Sequence, residues 1–484
     1  MNATSNKSCE TGCDLVSTSE IDASCRAPLI VLFAHAAFWL LVASLTGFIA
    51  SLKFHAPNFL SDCAWFTYGR VHAVATTAFT YGFAIQAGLG VGLWIIARLG
   101  QNKVSSPLVI AFGGKLWNLG VLLSVIGILA GSSTGFDYLE MPRYSAVWLF
   151  AASLVMGIGT LCTLHNRREH SLQPSQWFLI AALFWFPWIF STARLLLVVS
   201  PVRGVAQSVI AWWYAANLNL VWLALVGLAA VFYFVPQLMN RRLHSRHLAL
   251  FTFWTLILFA SWSGIPASAP LPAWMPALST IATVLTIIPV LAVMVNVCQT
   301  CGKGCSQTEN PPPGKFFAFG VMAFVVSWTM NVAGALPLVS PITNFTWFTV
   351  AQSQLNTYGF FAMTMFGAIY CIVPRVTGIE WPCEKSVRAH YWFAAIGIIL
   401  VVLPLAIGGV MQGLKLNSPA PFADSTKAML PFLRVSTTGE LLIALGHLLF
   451  AMNLTRLVLS FAKGKFVPAF VAATAELKTA GVKS

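Results

Sequence analysis

Apolar runs constrain this chain more than any other feature. A helix crosses the hydrocarbon core of a bilayer in about 20 apolar residues. Twelve stretches satisfy that length, at roughly 27–52, 71–98, 107–131, 145–164, 176–200, 205–236, 248–263, 275–298, 316–340, 344–374, 390–413 and 434–462. The charge content agrees. Only 9% of the residues are charged and 58% are hydrophobic, whereas soluble domains carry about 25% charged residues. That excludes a soluble globule, a disordered chain and a nucleic-acid-binding domain, despite a net charge of +14. The expectation is an all-α integral membrane protein, a bundle of twelve transmembrane helices. It divides into a polar leader over 1–26, a membrane domain over 27–462 and a basic tail over 463–484. The leader carries Asp14, Glu20 and Asp22 and lacks the basic start and small-residue cleavage site of a signal peptide.

Basic residues set the expected orientation. With twelve crossings, both termini share one side with every second loop. That side carries nineteen Lys and Arg, among them Arg98, Arg167, Arg168, Arg241, Arg242 and Arg375; the other carries seven. Cytoplasmic loops hold the excess of Lys and Arg, so both termini are expected in the cytoplasm. Lys115 and Arg194 fall within spans, about two turns or less from an end, and are expected to snorkel to the interface.

Cysteines and histidines are the candidate ligands for metal or heme. Cys298, Cys301 and Cys305 form C-x2-C-x3-C after the eighth span, and Cys9 and Cys13 form C-x3-C in the leader. Thiols so spaced can chelate a soft metal. The spacing matches no standard cluster run, and ordinary reduced thiols are expected. His35 lies mid-span in the first run, His72 at the start of the second and His447 mid-span in the twelfth. Intramembrane ionisable groups are functional hypotheses by default. One imidazole on each of three helices nevertheless offers no pair spacing for heme or copper. His165, His170, His244, His247 and His390 are expected at solvated or interfacial positions.

Several stretches, in a kept order from about residue 30 to 460, resemble subunit I of the heme–copper oxidases, closest to the cbb-type cytochrome c oxidases. Tyr68-Gly69-Arg70 resembles the Phe-Gly-Arg that opens that family's second helix. Tyr138-Leu139-Glu140-Met141-Pro142 resembles its Glu-Leu-Glu-Trp-Pro, and Trp212-Trp213-Tyr214 with Asn217 its Trp-Trp-Tyr-Gly-His-Asn. Tyr233-Phe234-Val235-Pro236 and Ile372-Val373-Pro374-Arg375 resemble two helix ends. His390-Tyr391-Trp392, Gly409-Val410-Met411-Gln412-Gly413-Leu414 and Met452-Asn453-Leu454-Thr455-Arg456 resemble segments of the last two helices. The resemblance implies a twelve-helix bundle of the heme–copper oxidase subunit I type in a bacterial-type inner membrane.

The family's chemistry rests on six histidines and a tyrosine, and each maps here onto a different residue. The low-spin heme position in the second helix is Ala75, with His72 three residues earlier. The copper position in the sixth is Ala216. After Trp262-Ser263-Gly264 come Ile265, Pro266, Ala267 and Ser268 where the family has a histidine pair, and Ala260 stands at the redox tyrosine. Gln352 and Gln354 stand at the two heme ligands of the tenth helix. The proton-path segment of the seventh helix becomes His244-Ser245-Arg246-His247-Leu248-Ala249, where Arg246 is a fixed cation.

These substitutions lead to an expected catalytically degenerate, heme- and copper-free homologue with no catalytic residue. It would act as a scaffold or regulatory subunit of a respiratory complex. The implied partners are membrane lipid and a membrane-anchored cytochrome c-type or other oxidase subunit, with no nucleic acid. One alternative is an active terminal oxidase or nitric oxide reductase-like enzyme holding heme b through displaced ligands, His72, His35 or His447. Another is a transporter or ion-conducting protein using the vacated cavities. Its hint is the polar set Thr76, Thr77, Asn217, Asn219, Gln352, Ser353, Gln354 and Asn356 within spans, although such residues ordinarily pair between helices.

Overall fold

The computed structural model describes residues 17–302 and 312–481, with side chains to 464. The described residues form helices and no strand. The long elements are α1 (Thr18–Leu52), α2 (Tyr68–Leu99), α3 (Pro107–Leu129), α4 (Arg143–His165), α5 (Pro174–Val199) and α6 (Val205–Leu238). After them come α7 (Arg246–Ala260), α8 (Trp274–Cys301), α9 (Pro312–Ala335), α10 (Trp347–Thr377), α11 (Glu384–Leu416) and α12 (Phe422–Gly464). Eleven are long and apolar enough to cross a membrane. The exception is α7. Its 15 residues span about 22 Å, short of the roughly 30 Å hydrocarbon core. Ser245 caps its start by accepting from the Leu248 N–H. The chain turns away at Gly264, φ +102°. Helix α1 begins at Thr18, ahead of the run that starts near 27.

Many of the polar groups inside the bundle pair with one another across helices. The Trp39 indole N–H donates to Asn118 Oδ1 at 2.9 Å, and Asn118 Nδ2 donates to Gln86 Oε1 at 2.9 Å, joining α1, α3 and α2. Asn296 on α8 holds the turn before α7, accepting from the Ser245 N–H and donating to its carbonyl. These satisfied pairs are the ordinary use of polar side chains between membrane helices.

Small residues set how closely α11 approaches the start of α10. A Cβ built at Gly409 would lie 2.0 Å from the Phe348 N, and one at Gly413 only 1.7 Å from the Ile342 carbonyl oxygen. The Trp347 N–H donates to Gln412 Oε1 at 3.1 Å across the same seam. The Gly-x-x-x-Gly spacing lets two backbones touch where side chains would hold them apart.

Two sequence expectations change. Arg194 does not snorkel. It is 6% exposed and donates to the carbonyls of Leu139, Met141 and Pro142 at 3.1–3.4 Å. Those groups are its hydrogen-bond acceptors, so it does not need the interface. His390 is not interfacial either. It is fully buried in α11, with Nδ1 hydrogen-bonded to the Tyr370 hydroxyl at 2.9 Å. Lys115 is exposed on α3.

Gly413→Ala should destabilise the protein by about 1–3 kcal/mol, because the Ile342 backbone cannot move as a side chain can. Gly464→Ala, where a Cβ meets nothing within 4 Å, should leave the melting temperature unchanged or slightly raised. Thermal unfolding in detergent, compared between the two variants, checks both.

Candidate functional site

Three of the four helices expected to carry ligand positions have a π-helical segment immediately after those positions. In α2 it is Ala78–Ala84, after Ala75. In α6 it is Asn217–Trp222, directly after Ala216. In α10 it is Leu355–Ala362, after Gln352 and Gln354. Such segments cluster at functional sites because the extra residue in the turn re-aims the side chains around it. Here they face a chain of three cavities at the end of the bundle that holds the loops over 53–67, 131–142 and 261–273.

The first cavity, about 140 Å³, lies among α1, α2, α10 and α12 and is lined by Tyr68, His72, Ala75, Gln354, Tyr358 and Glu440 among others. The second, about 410 Å³, is lined by His72, Asp137, Glu140, Ala216, Gln352 and Gln354. The third, about 260 Å³, is lined by Trp212, Gly264, Pro266, Ala267, Asn331 and Gln352. His72, Tyr138, Ser353 and Gln354 line both the first and the second. Trp212, Gly264 and Gln352 line both the second and the third. Every position expected to mark a former heme or copper site therefore lies on these walls.

A hydrogen-bonded network fixes the floor between cavities. Asn219 Nδ2 donates to Ser353 Oγ at 2.9 Å and to the Tyr138 hydroxyl at 3.3 Å. Asn356 Nδ2 donates to Asn219 Oδ1 at 2.7 Å, and the Trp328 indole donates to Asn356 Oδ1 at 3.2 Å. Asn217 accepts from the Trp185 indole at 3.1 Å. Asn217, Asn219, Ser353 and Asn356 thus pair between elements, as does Gln352, whose Nε2 donates to Ser327 Oγ at 3.5 Å, while Thr76, Gln352 and Gln354 also line the cavities.

The loop over 131–142 brings the acids. Tyr138 holds it with φ +61°, its carbonyl accepting from the Tyr81 hydroxyl at 2.5 Å, and Arg194 grips the following carbonyls. Glu140 is 7% exposed, and its Oε2 has no hydrogen-bond partner. Loss of solvent pushes its carboxyl up to about 8, with the neighbouring Asp137 adding to the rise. Burial likewise drives the Tyr138 hydroxyl up to about 12.

The other candidate ligands do not converge. His35 Nδ1 bonds the Val31 carbonyl one turn back at 2.7 Å. His447 is buried with Nδ1 on Ser44 Oγ at 2.6 Å. Neither lines any of the three cavities. Cys298 is exposed and Cys301 buried near the end of α8; Cys305, Cys9 and Cys13 lie outside the described residues. Among the described residues no three His, Cys, Asp or Glu side chains are placed to hold a metal ion.

The profile of the family described as cytochrome c and quinol oxidase polypeptide I matches residues 27–442. The chain belongs to that family. Among curated relatives it is 24% identical, over 88% of this chain and 81% of the relative, to a cytochrome c oxidase subunit 1 homolog of Azorhizobium caulinodans. It is also 24% identical, over 87% of this chain and 92% of the relative, to the cbb3-type cytochrome c oxidase subunit CcoN1 of Stutzerimonas stutzeri. A solved structure of a heme–copper terminal oxidase dimer shares the fold with a TM-score of 0.75 and 14% identity, covering 89% of this chain and 84% of the other.

Family membership corrects one expectation. A chain with no cofactor does not follow from the comparisons, because heme–copper oxidase subunit I normally binds heme and copper. The alternative, heme b, is the one consistent with the family. The residues on these walls nevertheless do not fit the family's ligand set. Neither Ala75 nor Gln354 offers an imidazole, His72 is the one histidine lining the cavities, and the Glu440 carboxyl lines the first cavity too. At the position expected for copper, a Cβ on Gly264 would lie 2.3 Å from that of Ala216, so the Gly264 backbone packs against the Ala216 methyl.

Sequence reading passed over Glu440, an acid inside the twelfth apolar run, and gave Glu140 weight only within a motif. An acid inside an apolar run is the signal that would have found the first. The second became visible only when the 131–142 loop folded inward.

Glu140 supplies a pH test. A carboxyl whose folded value lies near 8, above the ordinary value of about 4.3, contributes nothing against stability in acid. It costs stability progressively as pH rises from about 4 to about 8. Glu140→Gln should remove that loss. Any difference in melting temperature between variant and parent near pH 3.5 should shift in the variant's favour by about 1 kcal/mol or more near pH 8.5, read by thermal unfolding in detergent.

Proposed function

We propose that this chain is a non-catalytic subunit of a membrane respiratory oxidase complex, a degenerate homologue of oxidase subunit I that serves as its scaffold or regulator. The observation that carries the reading is the wall chemistry where dioxygen reduction would occur. Ala216, Gly264, Pro266, Ala267 and Gln352 surround that space, and none can replace an imidazole on copper. An active oxidase or nitric oxide reductase built on displaced ligands is disfavoured by the separation of His35, His72 and His447. A membrane-anchored cytochrome c-type subunit is the partner the family relationship suggests. A bacterial inner membrane with both termini cytoplasmic is the location that the basic loops support. The reading concerns copper and dioxygen, and heme b would not conflict with it.

A second reading, ligand binding or transport, is favoured by the lining residues that neighbouring cavities share and by the hydroxyl, amide and carboxyl groups on the cavity walls.

Purification from native membranes in mild detergent, with copper analysis and oxygen uptake on the same sample, tests the first reading. The expected result is copper well below one per chain, no oxygen uptake by the isolated chain, and co-purification of a heme-bearing subunit. One copper per chain with sustained oxygen uptake would overturn it.

A further inference from the structure

The first cavity carries groups that the scaffold reading leaves unused. Its walls include Phe54, Tyr68, Phe79, Trp347 and Tyr358. Phe54 lies 5.0 Å from both Tyr68 and Trp347, and Phe79 packs 4.2 Å from Tyr358, all between ring centroids. Glu440 on α12 joins them on the wall, inside a span that is otherwise apolar. The ion pairs among the described residues are Arg98–Asp22, Lys103–Glu20 and Arg388–Glu384, so Glu440 has no cationic side chain within pairing distance. Asp137 and Glu140 face the adjoining cavity, also outside those pairs, and Glu140 Oε2 is buried with no partner. Among the described residues no Lys or Arg lines any of the three cavities.

Among the described residues the first cavity holds one carboxyl, Glu440, with Asp137 on the wall of the adjoining cavity and no Lys or Arg on either, an arrangement that favours positive charge. A carboxylate at membrane depth is costly unless something pairs with it. Aromatic faces attract a cation through the ring quadrupole, most strongly when it is desolvated, and cages of such rings recognise organic ammonium ions. A metal ion fits less well, since no three ligating side chains converge among the described residues and hard cations need several oxygen ligands. We propose that the first cavity is a binding site for a small organic ammonium ion. Glu440 is its counter-ion, Tyr68, Trp347 and Tyr358 supply ring faces, and Ser353 and Gln354 accept its N–H or O–H groups. The site stands whether or not the chain is a scaffold, and its test uses no oxygen or copper readout.

Choline and its uncharged isostere 3,3-dimethylbutan-1-ol are the probes, applied to the full-length protein in detergent and read by calorimetric titration and thermal shift. Choline should bind saturably and raise the melting temperature, and the isostere should do neither. Glu440→Gln should weaken choline binding by roughly tenfold or more. Glu384→Gln, on an exposed pair, should leave it unchanged. Equal binding of the two probes, or no choline binding by the folded native protein, would overturn the proposal. So would a response to potassium or calcium chloride without one to choline, or a Soret band from heme in this cavity that His72→Ala abolishes. Because the probes contrast charge on the native chain, a Glu440 variant that misfolds does not remove the test.

Discussion

Hydrocarbon offers no water to a backbone N–H or C=O, and that single constraint organises this molecule. Each apolar run must close its own hydrogen bonds as a helix, and a polar side chain carried into the bundle is costly unless it finds a partner there. Asn118, Gln86 and Trp39 do so across three helices, and Asn356, Asn219 and Ser353 do so beneath the cavities. Arg194 is the extreme case. A guanidinium taken out of water spends its donors on three carbonyls of one loop, and in doing so holds Glu140 where its carboxyl is buried. The geometry of the site thus follows from the cost of leaving a charged donor unpaired.

Small residues govern the other half of the architecture. Gly409 and Gly413 allow α11 to lie against the backbone at the start of α10. That contact sets where Trp347 enters the first cavity. Gly264 does the same between α7 and α6, where its backbone packs against Ala216. The family fold is kept. Cavities that a fully collapsed core would have filled remain, because helix positions are fixed by these distant backbone contacts rather than by what occupies the middle.

Much of the site was legible in the sequence. Ala75, Ala216, Pro266, Ala267, Gln352 and Gln354 follow from motif spacing, and all of them line the cavities. The histidines were less legible. His72, His35 and His447 look alike as isolated imidazoles in apolar runs, yet only His72 faces the open space, and His390 turned out to be core. Which way a helical side chain points depends on local turn geometry. The π-helical segments in α2, α6 and α10 shift that geometry by a residue without leaving a periodic trace.

Sequence alone determined that the chain is a membrane bundle and how many apolar runs it has, and its motif order set the expectation of which residues stand at the oxidase ligand positions. Hydropathy and motif order are local properties, set by the cost of exposing peptide groups to lipid and by spacing along one strand of text. Only the tertiary structure decided that the seventh run is too short to span alone. It also decided that Glu440 shares one cavity with Tyr358 and His72 while Glu140 faces the next, and that no fixed cation answers these acids there. Those facts depend on helices distant in sequence meeting at one end of the bundle, and the electrostatics of a buried carboxyl are set by whatever that meeting brings beside it.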